Sequence, residues 1–174
     1  MSWSDATGSR RHVLRAGLGL GAAGVVTSVA GCGFALRQPP KLGFGSIALS
    51  GFAPRSPLAD ELRLQLAQQV RVLTPPATVD VVLQSLDDAR ERSVVASTSA
   101  AQVRAMQLRV KFTFRAQTPG GRELIPRAEL LLARDMSYSE NAALAKEYEE
   151  GELFRAMQTD IVLQVLRRLS AVQV

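Results

Sequence analysis

Between Met106 and Gln117 apolar and polar residues alternate without interruption. Met106, Leu108, Val110, Phe112, Phe114 and Ala116 interleave with Gln107, Arg109, Lys111, Thr113, Arg115 and Gln117. A period of two sustained this long describes an extended strand with one face on a core and the other in water. The chain must therefore build a sheet that is covered on one side and wet on the other, and the wet side carries Arg109, Lys111 and Arg115. Thr118-Pro119-Gly120-Gly121 follows as a turn. A strand over Glu123 to Asp135 should then return antiparallel, with Leu124, Ala128, Leu130 and Leu132 inward. Pro126 cannot donate to a ladder, which puts that part of the strand at an edge or a bulge.

The remaining elements can be read around this hairpin. Phe44 to Leu49 reads as a short strand. Ser56-Pro57 starts a helix, with Ser56 as N-cap and Pro57 at the first helical position. Leu58, Leu62, Leu66 and Val70 give that helix one apolar stripe, and Thr74-Pro75-Pro76 stops it. Val79 to Leu86 is a second strand, with Val79, Val81 and Leu83 on one face. The charged run Asp87 to Arg92 either extends it as a polar edge or bulges. Ser93 to Ser97 is again β-prone. Phe154, Met157, Ile161, Val165, Leu169 and Val172 form the stripe of a closing helix, with Arg167 and Arg168 suited to its negative end. Asn141 to Glu150 is expected to be helical too, capped by Ser139 or Asn141, with Gly151 as a kink. The fold class is α+β: a two-layer sandwich of about four mixed or antiparallel strands, with two amphipathic helices on one face.

The first 31 residues have a different composition. Arg10, Arg11 and Arg15 precede an uncharged stretch from Ala16 to Ala30, rich in Gly, Ala, Leu and Val. That stretch is short of the roughly 20 residues a bilayer-spanning helix needs, and it ends in Val29-Ala30-Gly31-Cys32. Basic start, short apolar core and small residues make an export signal. The last four residues resemble the lipobox of bacterial lipoproteins, in which the cysteine takes a diacylglycerol, the signal is removed before it and the new amino group is acylated. Three chains exceed the two signals that stable anchoring requires. Residues 1–31 are read as the signal, 32–42 as a lipidated tether stiffened by Pro39-Pro40, and 43–174 as one domain. Ser9 to Arg15 is similar to a twin-arginine export motif with Val13 at the usual aromatic position, and general secretion stays open beside it. Gly19 to Gly24 matches the dinucleotide fingerprint G-x-G-x-x-G, but with no preceding strand and no βαβ unit the match is accidental.

The cut at Cys32 removes most chemistry. The chain has one His, one Trp and one Cys, and His12 and Trp3 both fall in the signal. Histidine acid–base catalysis, Ser-His-Asp and Cys-His triads and most zinc and copper sites are thereby excluded from the domain. An enzyme would have to use Lys41, Lys111, Lys146, or carboxylates such as Asp87, Asp88, Glu149 and Glu150, which read instead as solvated faces. No cofactor, metal site or catalytic residue is assigned. The chain is basic overall, with 21 Lys and Arg against 16 Asp and Glu. The signs are mixed along the domain, unlike the basic stripe of a nucleic-acid binder.

Three short segments together resemble the LptE family of lipopolysaccharide-assembly lipoproteins. Gly33-Phe34-Ala35-Leu36-Arg37 after the lipobox is similar to that family's G-[WF]-x-L-R opening. Asn141-Ala142-Ala143-Leu144-Ala145-Lys146-Glu147 is similar to its N-x-x-x-A-L-A-K-[DE] segment, and Met157 to Leu169 to its closing helix. The order and length of elements agree over nearly all of Cys32 to Ser170. The loop Ser97-Thr98-Ser99-Ala100-Ala101 departs from the Gly and basic residue usual there, so the resemblance carries no ligand contact into it. The resemblance implies an outer-membrane lipoprotein, anchored through Cys32 and facing the periplasm, in a 1:1 complex with the β-barrel LptD. There it would plug the lumen, help assemble the barrel and assist lipopolysaccharide insertion into the outer leaflet. Gly33 after the cysteine fits outer-membrane sorting. Lys146 falls on the A-L-A-K position and is the first candidate for lipopolysaccharide, with Glu150 as its alternative helix-surface partner. Arg109, Lys111 and Arg115 are candidates for the lumen wall or for phosphates, which Arg grips bidentately.

An alternative from another class is a periplasm-facing carrier or adaptor lipoprotein for an apolar ligand. It would need a cavity lined by Phe112, Phe114, Phe154 and Met157, residues that otherwise read as ordinary core.

Overall fold

A computed structural model describes residues 41–74, 77–100 and 102–174. The signal, Cys32 and the tether as far as Pro40 lie outside the described residues. The domain contains β1 (Ser46–Ser50), α1 (Pro57–Leu66), β2 (Arg71–Leu73), β3 (Val81–Ser97), β4 (Val103–Gln117), β5 (Glu123–Ser137) and α2 (Ala143–Ser170). The strands form one mixed sheet in the order β2-β1-β3-β4-β5. β1 runs parallel to both its neighbours, and β3, β4 and β5 form an antiparallel meander. The expectation of about four strands is corrected to five. The extra one is β2, three residues long and too short to show a period in sequence.

The alternation in β4 is realised. Leu108, Val110, Phe112, Phe114 and Ala116 are all buried. They meet the helix stripe of Met157, Ile161, Val165 and Leu169 in one apolar core with Leu58, Leu62 and Leu66 of α1. Phe112 stacks on Phe114 at 5.2 Å between ring centres and on Phe52 at 5.8 Å. The four side chains that an apolar-ligand site would have needed are thus packing: Phe112, Phe114 and Met157 are buried core, and Phe154 lies partly buried against it. At α1 the Ser56 Oγ accepts from the Ala59 N–H at 3.1 Å and donates to Asp88 at 2.7 Å, so one N-cap also ties the helix to β3.

The charged run 87–92 extends the strand, and the bulge falls just before it, at Leu86. β3 continues unbroken to Ser97, and its register against β4 shifts between Ser85 and Asp87. The bulge leaves Leu86 on the surface. Pro126 behaves as its chemistry requires: β5 is the edge strand, and its register shifts where Phe114 pairs with Ala128 but Ala116 pairs with Ile125. Both hairpin turns close alike. The Thr98 N–H donates to the Gln102 carbonyl and the Thr118 N–H to the Arg122 carbonyl, while each threonine hydroxyl accepts the returning N–H.

The closing helix corrects two expectations. It runs through Gly151 without interruption, and neither Ser139 nor Asn141 caps it. The chain enters by a 3₁₀ turn over Glu140–Ala142, which has no side-chain cap. The short 3₁₀ turn replaces the expected side-chain cap at this helix entry.

Two positions fix β1. Gly51 has φ of +75°, and a Cβ there would lie 2.3 Å from the Ser85 carbonyl oxygen. Asp80 Oδ2 accepts from the Gly45 N–H, the Ser46 N–H and the Ser46 hydroxyl, each at 2.9 Å. The Ser46 hydroxyl hydrogen bond, helped by the backbone donors and by nearby Arg71, holds the Asp80 carboxyl below its ordinary value. Replacing Gly51 by Ala should lower stability by about 1–3 kcal/mol in denaturant titration, because the residue is strained and clashes with backbone. Asp80 stabilises the fold above the unfolded carboxylate pKa of about 3.9, and that contribution is lost as pH falls through the lower folded value. Asp80→Asn should therefore be less stable than the parent at neutral pH, and the difference should shrink in acid titrations below about pH 4.

Candidate functional site

The helices α1 and α2 lie side by side on the inner face, joined by Gln158 and Thr159. The Gln158 amide donates to the Pro57 carbonyl at 3.1 Å and to Glu61, and the Thr159 hydroxyl donates to Glu61 at 2.8 Å. Arg90 of β3 completes the link by donating to Gln158 and lying over the Phe154 ring. Glu61 thus joins α1 to α2, a partnership nearly a hundred residues apart that local spacing cannot disclose.

The opposite face of the β3–β5 meander carries the wet set. Arg109, Lys111 and Arg115 share this face of β4, two and four residues apart, with Thr113 between the last two, as the alternation requires. Their neighbours were not legible in β4 alone. Glu91 pairs across with Arg109, Asp87 and Glu129 flank Thr113, and Asp135 pairs across with Gln107. Lys111 Nζ lies 2.8 Å from Asp87 Oδ2. The hydrogen bond to Asp87 and its charge, with Glu129 and Glu91 behind it, hold the Lys111 ammonium above its ordinary pKa. Arg109 Nε donates to Gln107 and Arg115 Nε to Gln84, both at 2.8 Å, and Gln107 donates to Asp135. Thr113, on the wet side by parity, is only 1% exposed beneath this layer. The face is a mixed-sign, hydrogen-bonded lattice, not a basic stripe.

Lys146 stands apart, in the first turns of α2 at the far end of the sheet. Its Nζ donates to Ser137 Oγ at 3.1 Å and to Glu149 Oε2 at 2.7 Å. The partner is Glu149 rather than Glu150, which faces Arg92 at 3.7 Å. Ser137 pairs with Ala105, four residues along β4 from Arg109, a separation of roughly 13 Å along the strand. The structure therefore groups three of the four basic candidates and leaves Lys146 at a separate end. An open polar cleft of about 110 Å³ lies at this same end, lined by Gln102, Val103, Arg104, Ser139, Glu140 and Asn141. It forms from two segments more than thirty residues apart, so no local pattern discloses it.

The acidic candidates for hydrolysis are engaged. Asp87 faces Lys111, Asp88 accepts from Ser56, Glu149 faces Lys146 and Glu150 faces Arg92. Among the described residues no group of His, Cys, Asp and Glu could hold a metal ion, and no helix is long and apolar enough to cross a membrane.

The family model described as LptE, lipopolysaccharide-assembly, matches residues 44–169. Among solved structures the chain is similar to a lipoprotein B from Nitrosomonas europaea, with 26% identity and a TM-score of 0.69 over 80% of this chain and 91% of that one. It is similar in fold to a minor lipoprotein from Acinetobacter baumannii, at 22% identity and a TM-score of 0.61 over 75% and 93% of the two chains. A rare lipoprotein B from Shewanella oneidensis gives 24% and 0.56 over 72% and 90%. A search of curated proteins finds no match.

The Lys111–Asp87 pair is partly exposed, with side chains 36% and 42% accessible, so its contribution to stability is small. Lys111→Ala and Arg109→Ala should each lower stability by less than about 1 kcal/mol in denaturant titration. A defect that either causes in a cell would then report on contacts, not on folding.

Proposed function

The chain belongs to the LptE lipopolysaccharide-assembly family, which gives it a role in lipopolysaccharide assembly, and from that premise we propose that it is an outer-membrane lipoprotein occupying the lumen of LptD. In this reading Cys32 is acylated, the tether 33–42 holds the domain on the periplasmic side of the outer membrane, and the domain acts as plug and assembly factor without catalysis. The observation that carries the reading is the uncovered β3–β5 face. Both helices sit on the other side, and the lattice of Glu91, Arg109, Lys111, Arg115, Asp87 and Asp135 is polar and of mixed sign. The interior of a large outer-membrane barrel is polar in the same way. A face of mixed sign can exchange its internal ion pairs for pairs with the barrel wall without leaving a field uncompensated.

Lys146 is the proposed contact for lipopolysaccharide phosphate. An ammonium has three donors; two are spent on Ser137 and Glu149, which hold it in place and leave the third for an incoming oxygen. Lys111 is the weaker candidate, since a phosphate would have to displace Asp87 at 2.8 Å.

Affinity purification of the tagged full chain from detergent-solubilised outer membranes, read by mass spectrometry, should recover a large β-barrel protein near 1:1 and an acylated peptide beginning at Cys32. Cys32→Ser should abolish the acylated peptide while the barrel is still recovered with the protein. Recovery without any barrel partner would overturn the plug reading, and an unmodified Cys32 would overturn the anchor.

A further inference from the structure

The two edges of the sheet are unequal. β2 has three residues, whereas β5 has fifteen and only β4 beside it. From Ala128 to Ser137 the register of β5 against β4 runs without a shift. The Tyr138 N–H donates to the Arg104 carbonyl. Facing residues of an antiparallel pair alternate between exchanging hydrogen bonds and turning them outward. The even-numbered residues of this stretch therefore bond β4, while Glu129, Leu131, Ala133 and Asp135 point their N–H and C=O groups away from the sheet. Among the described residues no other backbone group takes these up. The side chains of these four residues and of Arg127 are exposed. Proteins usually blunt such an edge with proline, a bulge or lysine. β5 has Pro126 and its bulge near its start, and no lysine at all.

This edge complements itself in one register. When two copies of β5 run antiparallel with Leu131 opposite Leu131, residue 127 meets 135, 129 meets 133 and 130 meets 132. Arg127 then faces Asp135 of the second copy, and by symmetry the pair forms twice. Within one copy, Arg127 has no carboxylate within ion-pair distance among the described residues, and Asp135 accepts only from Gln107. Leu131, 54% exposed on an otherwise polar face, gains an apolar neighbour. On the helix side Leu130 meets Leu132. Sliding the second copy two residues one way sets Glu129 opposite Asp135, and like charges placed opposite each other destabilise a sheet. Sliding it two residues the other way sets Arg127 opposite Ala133 and Glu129 opposite Leu131, which pairs neither charge. The same side chains thus favour one pairing and disfavour its neighbours.

We propose that the free edge of β5 is a pairing site for the β5 of a second copy of this chain, used while the domain is outside a barrel. The contact is one strand wide, well short of a permanent interface, so the pair is weak and reversible. It is also closed. Once β5 is paired to β5, the joined sheet ends on the two short β2 strands, and no long edge remains to recruit further chains. A lumen filled by one domain has no room for a second copy, so entry into the barrel parts the pair. That last step alone rests on the function proposed above; the pairing itself follows from β5.

The test uses the chain from residue 32 carrying Cys32→Ser, which retains every described residue and has no acyl chains. Sedimentation equilibrium across the micromolar range should show a reversible monomer–dimer equilibrium. Asp135→Arg places two guanidinium groups opposite each other and should weaken dimerisation about tenfold. Adding Arg127→Asp to it reverses both charges and should restore the dimer to within about threefold of the parent. Leu131→Cys supplies the only cysteine of that chain. It should give a disulfide-linked dimer under mild oxidation, since facing Cα atoms about 5.5 Å apart are within reach of a disulfide. Glu129→Cys, roughly 13 Å from its own mate in this register, should not. A monomer throughout that range, a double variant as weak as Asp135→Arg, or equal cross-linking from positions 129 and 131 would overturn the proposal. Recovery of a barrel with the native protein is read separately, so either idea can fail without the other.

Discussion

Everything in this domain depends on a core that lies on one side of its sheet. Phe112 and Phe114 of β4 stack on each other and meet the α2 stripe of Met157, Ile161, Val165 and Leu169, and α1 adds Leu58, Leu62 and Leu66. Truncating a buried aromatic of this kind typically costs about 3–5 kcal/mol. With no cysteine among the described residues, no disulfide shares that burden within the domain. Because both helices are spent on one face, no element among the described residues covers the other. Its polarity follows from the same alternation that built the core, and its availability to a partner is a consequence of the packing.

The uncovered face solves its own electrostatic problem. Charged side chains on an exposed sheet repel when like signs sit opposite each other; here Glu91 stands across from Arg109, and Lys111 reaches Asp87. The layer is dense enough to bury Thr113 beneath it. Individual exposed pairs add little stability, so the arrangement is better understood as a surface of low net charge that can re-pair.

What could be read from the sequence follows the range of the interactions involved. β4 and the Ser56-Pro57 helix start are local patterns, and both appear as expected. Pro126 foretold the edge and the bulge of β5 because a missing N–H is a property of one residue. β2 was missed since three residues carry no period. The run 87–92 was ambiguous since charge alone does not say whether a neighbouring strand holds it. Gly151 did not kink α2; removing a side chain costs helix propensity but breaks no hydrogen bond. At the site, the three basic residues of β4 were legible and their acidic neighbours on β3 and β5 were not, because strand order and register decide them. Lys146 turned to Glu149, since spacings of three and four are both neighbours on a helix. The Glu61 to Gln158 link spans the chain and left no local trace.

The central claim is that the bare face of β3–β5 lies against the wall of a barrel. It is tested most directly by placing a photo-crosslinking residue at Arg109, on that face, and separately at Leu163, on the exposed side of α2, in cells making the lipidated protein. The account predicts that the Arg109 position captures the barrel in high yield, because a lattice of mixed charge sits against its wall. Capture from Leu163 with none from Arg109 would contradict it, and would move the contact to the helical layer.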